Sequence, residues 1–271
     1  DAFVDMIVYG MGEKPILEIA QQLKNGVNIQ DLTNINQTVV KLPIDFTPKN
    51  DENNIVLHDF IDCKKNKRCQ SENFKHIEQQ SNRYSGATLW QVHDSYVIKV
   101  NPMNPPMTTE EIDESFDLPY TRLPHPRYNG KVIPAYEMIK FSVNMHRGCF
   151  GGCAFCTISA HQGKFIASRS KESILKEVKT ICKMEDFKGY ISDLGGPSAN
   201  MYKMGGKDLS KCQKCLRPSC LFPKPCVNLN NDHSPLLDIY SMVDKLPEIK
   251  KSFIWHRNIF HDNSNSWNAR C

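Results

Sequence analysis

Eleven cysteines occur in this chain of 271 residues, and seven of them fall into two compact groups. Cys149, Cys153 and Cys156 follow the spacing Cys-x3-Cys-x2-Cys around Gly151 and Gly152. Thiolates are soft ligands suited to iron–sulfur clusters and to zinc. A [4Fe–4S] cluster ordinarily takes four of them. Three in one tight loop therefore leave one iron open to chelate a small molecule. The competing reading is a zinc knuckle that borrows a fourth cysteine from elsewhere, although zinc sites more often pair two Cys-x2-Cys units. The second group is Cys212, Cys215, Cys220 and Cys226, interleaved with Pro218, Pro223 and Pro225. Such a stretch is too short and proline-rich to build a core of its own. It calls for a metal to order it, either zinc or an auxiliary iron–sulfur cluster. The remaining cysteines stand apart and read as ordinary thiols.

The elements around these residues read as βα units. Ile139, Phe141 and Val143 alternate as a strand, and the first cysteine loop follows its C-terminal end, where parallel α/β folds place their ligands. Ser170 caps a helix whose inner face is Ile174, Leu175, Val178, Ile181 and Cys182. Tyr190-Ile191-Ser192 is a second strand, ending in Asp193-Leu194-Gly195-Gly196-Pro197. A third helix starts at Ser234-Pro235, and a third strand is expected over Ser252–Trp255.

The cysteine spacing with an aromatic residue, Phe155, just before the third cysteine resembles the signature of the radical S-adenosylmethionine (SAM) superfamily. The flanks Phe141–Cys149 and Ser192–Pro197 resemble its YgiQ-type family, as does the proline-rich stretch before the loop. That resemblance implies a [4Fe–4S] cluster on Cys149, Cys153 and Cys156. SAM would bind the fourth iron and be cleaved reductively to methionine and a 5′-deoxyadenosyl radical. Phe155 would shield the cluster or pack near the adenine. Gly195-Gly196-Pro197 stands where the superfamily has Gly-Gly-Glu, whose backbone accepts the SAM ammonium; Pro197 replaces the acidic residue. Ser168 and Arg169 would reach the SAM carboxylate, since arginine suits bidentate carboxylate recognition. His146 and Arg147 would tune the cluster. An electron donor such as flavodoxin or ferredoxin is implied, and the substrate is left open. No Asp-x-His-x-x-Gly motif is present, so cobalamin is not expected.

The implied fold is α/β. Residues 1–100 would hold the end of a Rossmann-like domain with an irregular and hairpin region. Residues 101–137 read as a proline-rich linker, and 138–271 as a partial radical SAM (βα) barrel carrying a cysteine-rich insert over 210–228. Within the first part, a strand near Phe3–Tyr9 leads through Gly10-Met11-Gly12 into a helix with Ile16, Leu17, Ile19, Ala20 and Leu23 on one face. Ala87–Val92 and Tyr96–Val100 read as a hairpin. Thr108 or Thr109 caps a short helix. There is room for about three βα units, and the polar tail from Trp255 departs from the relatives' pattern. The chain therefore reads as truncated or frame-shifted, beginning as it does without an initiator Met, and inactive alone in that case.

Composition narrows the classes further. The formal net charge is +4, too small to point to nucleic acid. No apolar run approaches the ~18 residues needed to cross a bilayer. An odd number of cysteines without an export signal favours metal ligation in a reducing cytoplasm over disulfides. The alternative to a radical SAM enzyme is a cysteine-rich zinc or iron–sulfur module acting as a scaffold or binding RNA.

Overall fold

The computed structural model describes residues 4–197 and 199–253. They divide into two compact units that interleave along the chain. The first takes residues 4–107, 148–165 and 206–229; the second takes the rest. The partition does not follow the consecutive order 1–100, 101–137 and 138–271. Both cysteine groups belong to the first unit.

The first unit is built on a five-stranded sheet of β1 (Met6–Val8), β2 (Thr38–Pro43), β3 (Asn54–Val56), β4 (Thr88–His93) and β5 (Tyr96–Val100), in the order β1-β2-β5-β4-β3. Every pairing is antiparallel except β3 with β4. This differs from the parallel sheet that a Rossmann-like remnant implies. The β4–β5 hairpin forms as the sequence predicts, with Asp94 at φ +56° in its two-residue loop. Along β5 the period of two turns Val97 and Lys99 inward, and Lys99 compensates its burial by donating to the Thr33 carbonyl at 2.9 Å. Three helices accompany the sheet: α1 (Glu13–Lys24), α2 (Phe60–Lys65) and α3 (Lys67–Ser81). On α1 the expected apolar face is not covered, since Ile16, Leu17 and Leu23 are all exposed. The basic run at 64–68 spans the junction of α2 and α3, where Asn66 caps α3 by accepting the Arg68 N–H at 2.9 Å.

The second unit opens with α4 (Thr109–Phe116). Thr108 and Glu111 form a reciprocal capping box there, which settles the choice of cap. Next come α5 (Pro134–Ile139), β6 (Ser142–Asn144) and β7 (His146–Arg147). Ile139 thus ends a helix that Pro134 starts, and the strand is shorter than its alternation suggests. The chain then passes through α6 (Ile158–Gln162) of the first unit and returns as β8 (Ala167–Ser168), antiparallel to β7. Then follow α7 (Lys171–Cys182), β9 (Tyr190–Ile191), β10 (Asp193–Gly195) and β11 (Gly205–Gly206). After α8 (Leu209–Gln213) of the first unit come β12 (Leu229–Asn230), α9 (Ser234–Asp244) and β13 (Lys251–Ser252).

Strand β10 runs parallel to β6, and β13 parallel to β9, as two separate two-stranded sheets reached through α7 and α9; among the described residues no barrel closes. Ile174, Val178 and Ile181 of α7 and Leu236, Ile239 and Val243 of α9 are fully buried with Val143, Ile191 and Leu194 of the strands. Each such side chain contributes about 1.5–3 kcal/mol of transfer free energy. The predicted third strand begins as β13; Ile254 and Trp255 lie outside the described residues, as do the remaining tail, Ser198 and Cys271. No described helix is long and apolar enough to cross a membrane.

Candidate metal and cofactor site

The first cysteine loop begins directly after β7. Gly148 turns the chain at φ +90°, and the loop closes on itself where Cys149 N–H donates to the Gly163 carbonyl at 3.1 Å. Phe150 is the loop's buried anchor, at 2% exposure. Cys149 is buried, Cys156 half-buried and Cys153 exposed. A Cβ built on Gly151 would stand 3.4 Å from the Cys149 sulfur and 3.7 Å from the Cys153 sulfur. Both sulfurs therefore border the same side of Gly151. Phe155 is 91% exposed and covers nothing in this state.

The second cysteine group packs directly on that loop. Cys220 N–H donates to the Phe150 carbonyl at 3.0 Å, and Ser219 Oγ–H donates to the Gly151 carbonyl at 2.7 Å. Gly152, at φ +62°, lies so close that an added Cβ would meet Ser219 Cβ at 2.7 Å. Around the group itself, Asn228 Nδ2 donates to the Cys212 sulfur at 3.3 Å. Lys164 Nζ donates to the Cys215 sulfur at 3.7 Å and to the Arg217 carbonyl at 2.7 Å. Burial pushes the Cys220 thiol up to about 11; the Lys164 ammonium opposes that shift, while Cys226, Cys215 and Cys212 reinforce it. Burial also raises the Cys212 thiol. Among the described residues no three His, Cys, Asp or Glu side chains already converge as a metal-ligand set. The donors are of the right kind for iron–sulfur or zinc, and binding would have to bring their sulfurs together. Lys164, Ser219 and Asn228 carry no signal in the sequence, because a lysine, a serine and an asparagine are usually solvated.

The residues expected to meet SAM lie in the second unit. Gly195 accepts from Met145 N–H at 2.8 Å, and Gly196 N–H donates to Asn200 Oδ1 at 3.0 Å. Asn200 is held in turn by the Tyr240 hydroxyl at 3.0 Å. The missing side chain of Gly196 is filled by His146, whose imidazole would overlap any Cβ there. His146 Nε2 accepts Met201 N–H at 3.0 Å and is fully buried, so it braces the glycine turn. Asp193 and Pro197 are half-buried beside it.

Arg169 is also fully buried. Nε donates to Ser173 Oγ at 3.1 Å; Nη1 donates to the Asn144 carbonyl at 2.9 Å and to Glu177; Nη2 donates to the Ser173 carbonyl at 3.0 Å and to Ser173 Oγ at 2.8 Å. All five N–H donors are used within the unit, and the Phe116 ring lies 4.4 Å from the guanidinium carbon. In this arrangement Arg169 has no donor to spare for an outside carboxylate. Glu177 binds Arg122 as well. Ser168 Oγ accepts Lys203 N–H at 2.9 Å. Asp232 accepts from Ser234 N–H at 2.9 Å at the start of α9.

The family described as Radical SAM N-terminal matches residues 1–142, just over half of the chain. A UPF0313 protein of Bacteroides thetaiotaomicron is 56% identical over 266 residues, covering 94% of this chain and 43% of its own length. One from Porphyromonas gingivalis is 60% identical over 250 residues, covering 92% and 39%. A third, from Methanocella arvoryzae, is 48% identical over 259 residues, covering 94% and 42%. The chain belongs to the radical SAM superfamily, within its YgiQ-type UPF0313 family. It spans about two fifths of the length of these relatives.

Proposed function

We propose that this chain is the part of a radical SAM enzyme that carries the cluster loop. Cys149, Cys153 and Cys156 hold three irons of a [4Fe–4S] cluster and leave the fourth for SAM. When bound, that cluster supplies the electron for reductive cleavage of SAM to methionine and a 5′-deoxyadenosyl radical. The observation that carries the reading is Gly151, whose missing side chain leaves the Cys149 and Cys153 sulfurs facing one space at 3.4 and 3.7 Å from its Cβ position.

The chain's own residues have separate tasks. The thiolates fix the cluster, and Phe155 is free to fold down as a hydrophobic cover once it is bound. The backbone around Gly195, Gly196 and Pro197 offers carbonyls to an ammonium, held rigid by His146 and Asn200. Ser168 holds Lys203 N–H, and in Arg169 the buried fork to Ser173, Asn144 and Glu177 argues for positioning rather than contact with the carboxylate. The electron comes from a small donor such as flavodoxin or ferredoxin in a reducing cytoplasm.

Anaerobic reconstitution tests the assignment. The variant carrying Cys149→Ala, Cys153→Ala and Cys156→Ala should bind about four irons and four sulfides fewer per chain than the parent, one cluster's complement. Equal iron in both proteins, or zinc alone in the parent, would favour the cysteine-rich metal module instead.

A further inference from the structure

The buried lysine of the first unit points to a second site. Lys164 is 2% exposed, and its ammonium ends on the Cys215 sulfur and the Arg217 carbonyl. No carboxylate pairs with it among the described residues. A buried cation facing thiols, one carbonyl and the Phe165 ring, 5.2 Å from its centroid, lacks a full counter-charge. It becomes well compensated if the thiols around it are thiolates bound to a metal. Zn2+ with four thiolates carries a net charge of −2, and a cubane held by four thiolates is similarly anionic; either would turn the lysine from a liability into a counter-ion.

We infer that Cys212, Cys215, Cys220 and Cys226 bind a tetrathiolate metal centre, with Lys164 and Asn228 as its hydrogen-bonding shell, and that this centre holds the first cysteine loop in shape. Three observations within the unit converge on it. Asn228 and Lys164 already donate to two of the four sulfurs, the N–H···S pattern by which a thiolate centre is stabilised. Gly206 has no room for a side chain against the Cys212 sulfur. Cys220 and Ser219 are bonded straight to the Phe150 and Gly151 carbonyls, so ordering the insert orders the loop. Among the described residues these four do not already form a ligand set. Metal binding is then expected to tighten 206–229, each ligated thiol losing its proton to solvent as its metal–sulfur bond forms.

The inference is independent of the cluster on Cys149, Cys153 and Cys156, and the test keeps the two apart. The full chain with all three of those residues changed to Ala is purified in air and stripped by chelator. It is then titrated with Co2+ and with Zn2+, and separately reconstituted with iron and sulfide. One equivalent of Co2+ giving thiolate charge-transfer and tetrahedral d–d absorption, displaced by Zn2+, identifies a zinc-type site; about four irons per chain identify a cubane. Either outcome should be accompanied by protection of 206–229 from protease. Lys164→Met, which keeps the buried stem without the charge, should weaken Co2+ binding about 10- to 100-fold while leaving its spectrum tetrahedral. Should Lys164→Met bind as tightly as its parent, the counter-ion role is wrong. Absence of stoichiometric binding of either kind to the triple variant, its circular dichroism matching that of the parent, would overturn the site. Retention of the same metal after Cys212→Ser and Cys215→Ser would do so too.

Discussion

Gly196 and His146 form the tightest residue-level constraint in the second unit. The imidazole occupies the place of a side chain at Gly196, and its Nε2 holds Met201 N–H. Gly196→Ala should destabilise the chain by about 1–3 kcal/mol through overpacking, read as a fall in the denaturant midpoint. Combining it with His146→Ala should recover part of that loss, the sign of a shared contact. Arg169 makes a second test. Its replacement by Met strands Glu177 with Arg122 alone, so stability should drop by about 3 kcal/mol. A ligand-contacting arginine would instead lower SAM affinity with little effect on stability. The glycine turn is legible in the sequence because paired glycines after a strand are a local signal. The burial of Arg169 is not, because its partners Asn144 and Glu177 are joined to it only by folding.

At the scale of elements, α7 displays how far local rules reach. Ser170 caps it through Ser173 N–H at 3.0 Å, as expected, and the Ile174, Val178 and Ile181 stripe faces the core. Less visible is the role of Asp117, which accepts from Ser173 Oγ and from Lys176 Nζ, each at 2.7 Å. The Lys176 ammonium holds the Asp117 carboxyl below the usual carboxylate range. A depressed carboxylate stabilises the fold above the unfolded value of about 3.9 and loses that contribution as pH falls through the folded value. Asp117→Asn should therefore cost up to about 1 kcal/mol at pH 7, given its partial exposure. The gap in urea midpoints should narrow on acidification toward pH 3.5; a constant gap would rule out titration of Asp117. Helix α3 is hidden in the sequence for a plain reason. Its fifteen residues, KRCQSENFKHIEQQS, are nearly all polar and present no clean apolar stripe.

For the whole molecule, the interleaving of the two units matters most. Residues 166–205 of the second unit separate the cysteine loop from the cysteine-rich insert, yet both fold into the first unit. Spacing reveals each group by itself, and no periodicity reveals that Cys220 bonds to Phe150. The mainly antiparallel sheet of the first unit is equally hidden, since β1 followed by α1 reads like any βα unit. The proposed function rests on a cluster that Cys149, Cys153 and Cys156 would hold with its fourth iron left open. The decisive experiment is low-temperature EPR of the anaerobically reconstituted and reduced chain, with and without SAM, beside the triple alanine variant. A cubane signal that shifts on adding SAM is expected, with a SAM-responsive component that vanishes in the variant. A signal indifferent to SAM, or a SAM response that survives the triple change, would contradict the open iron.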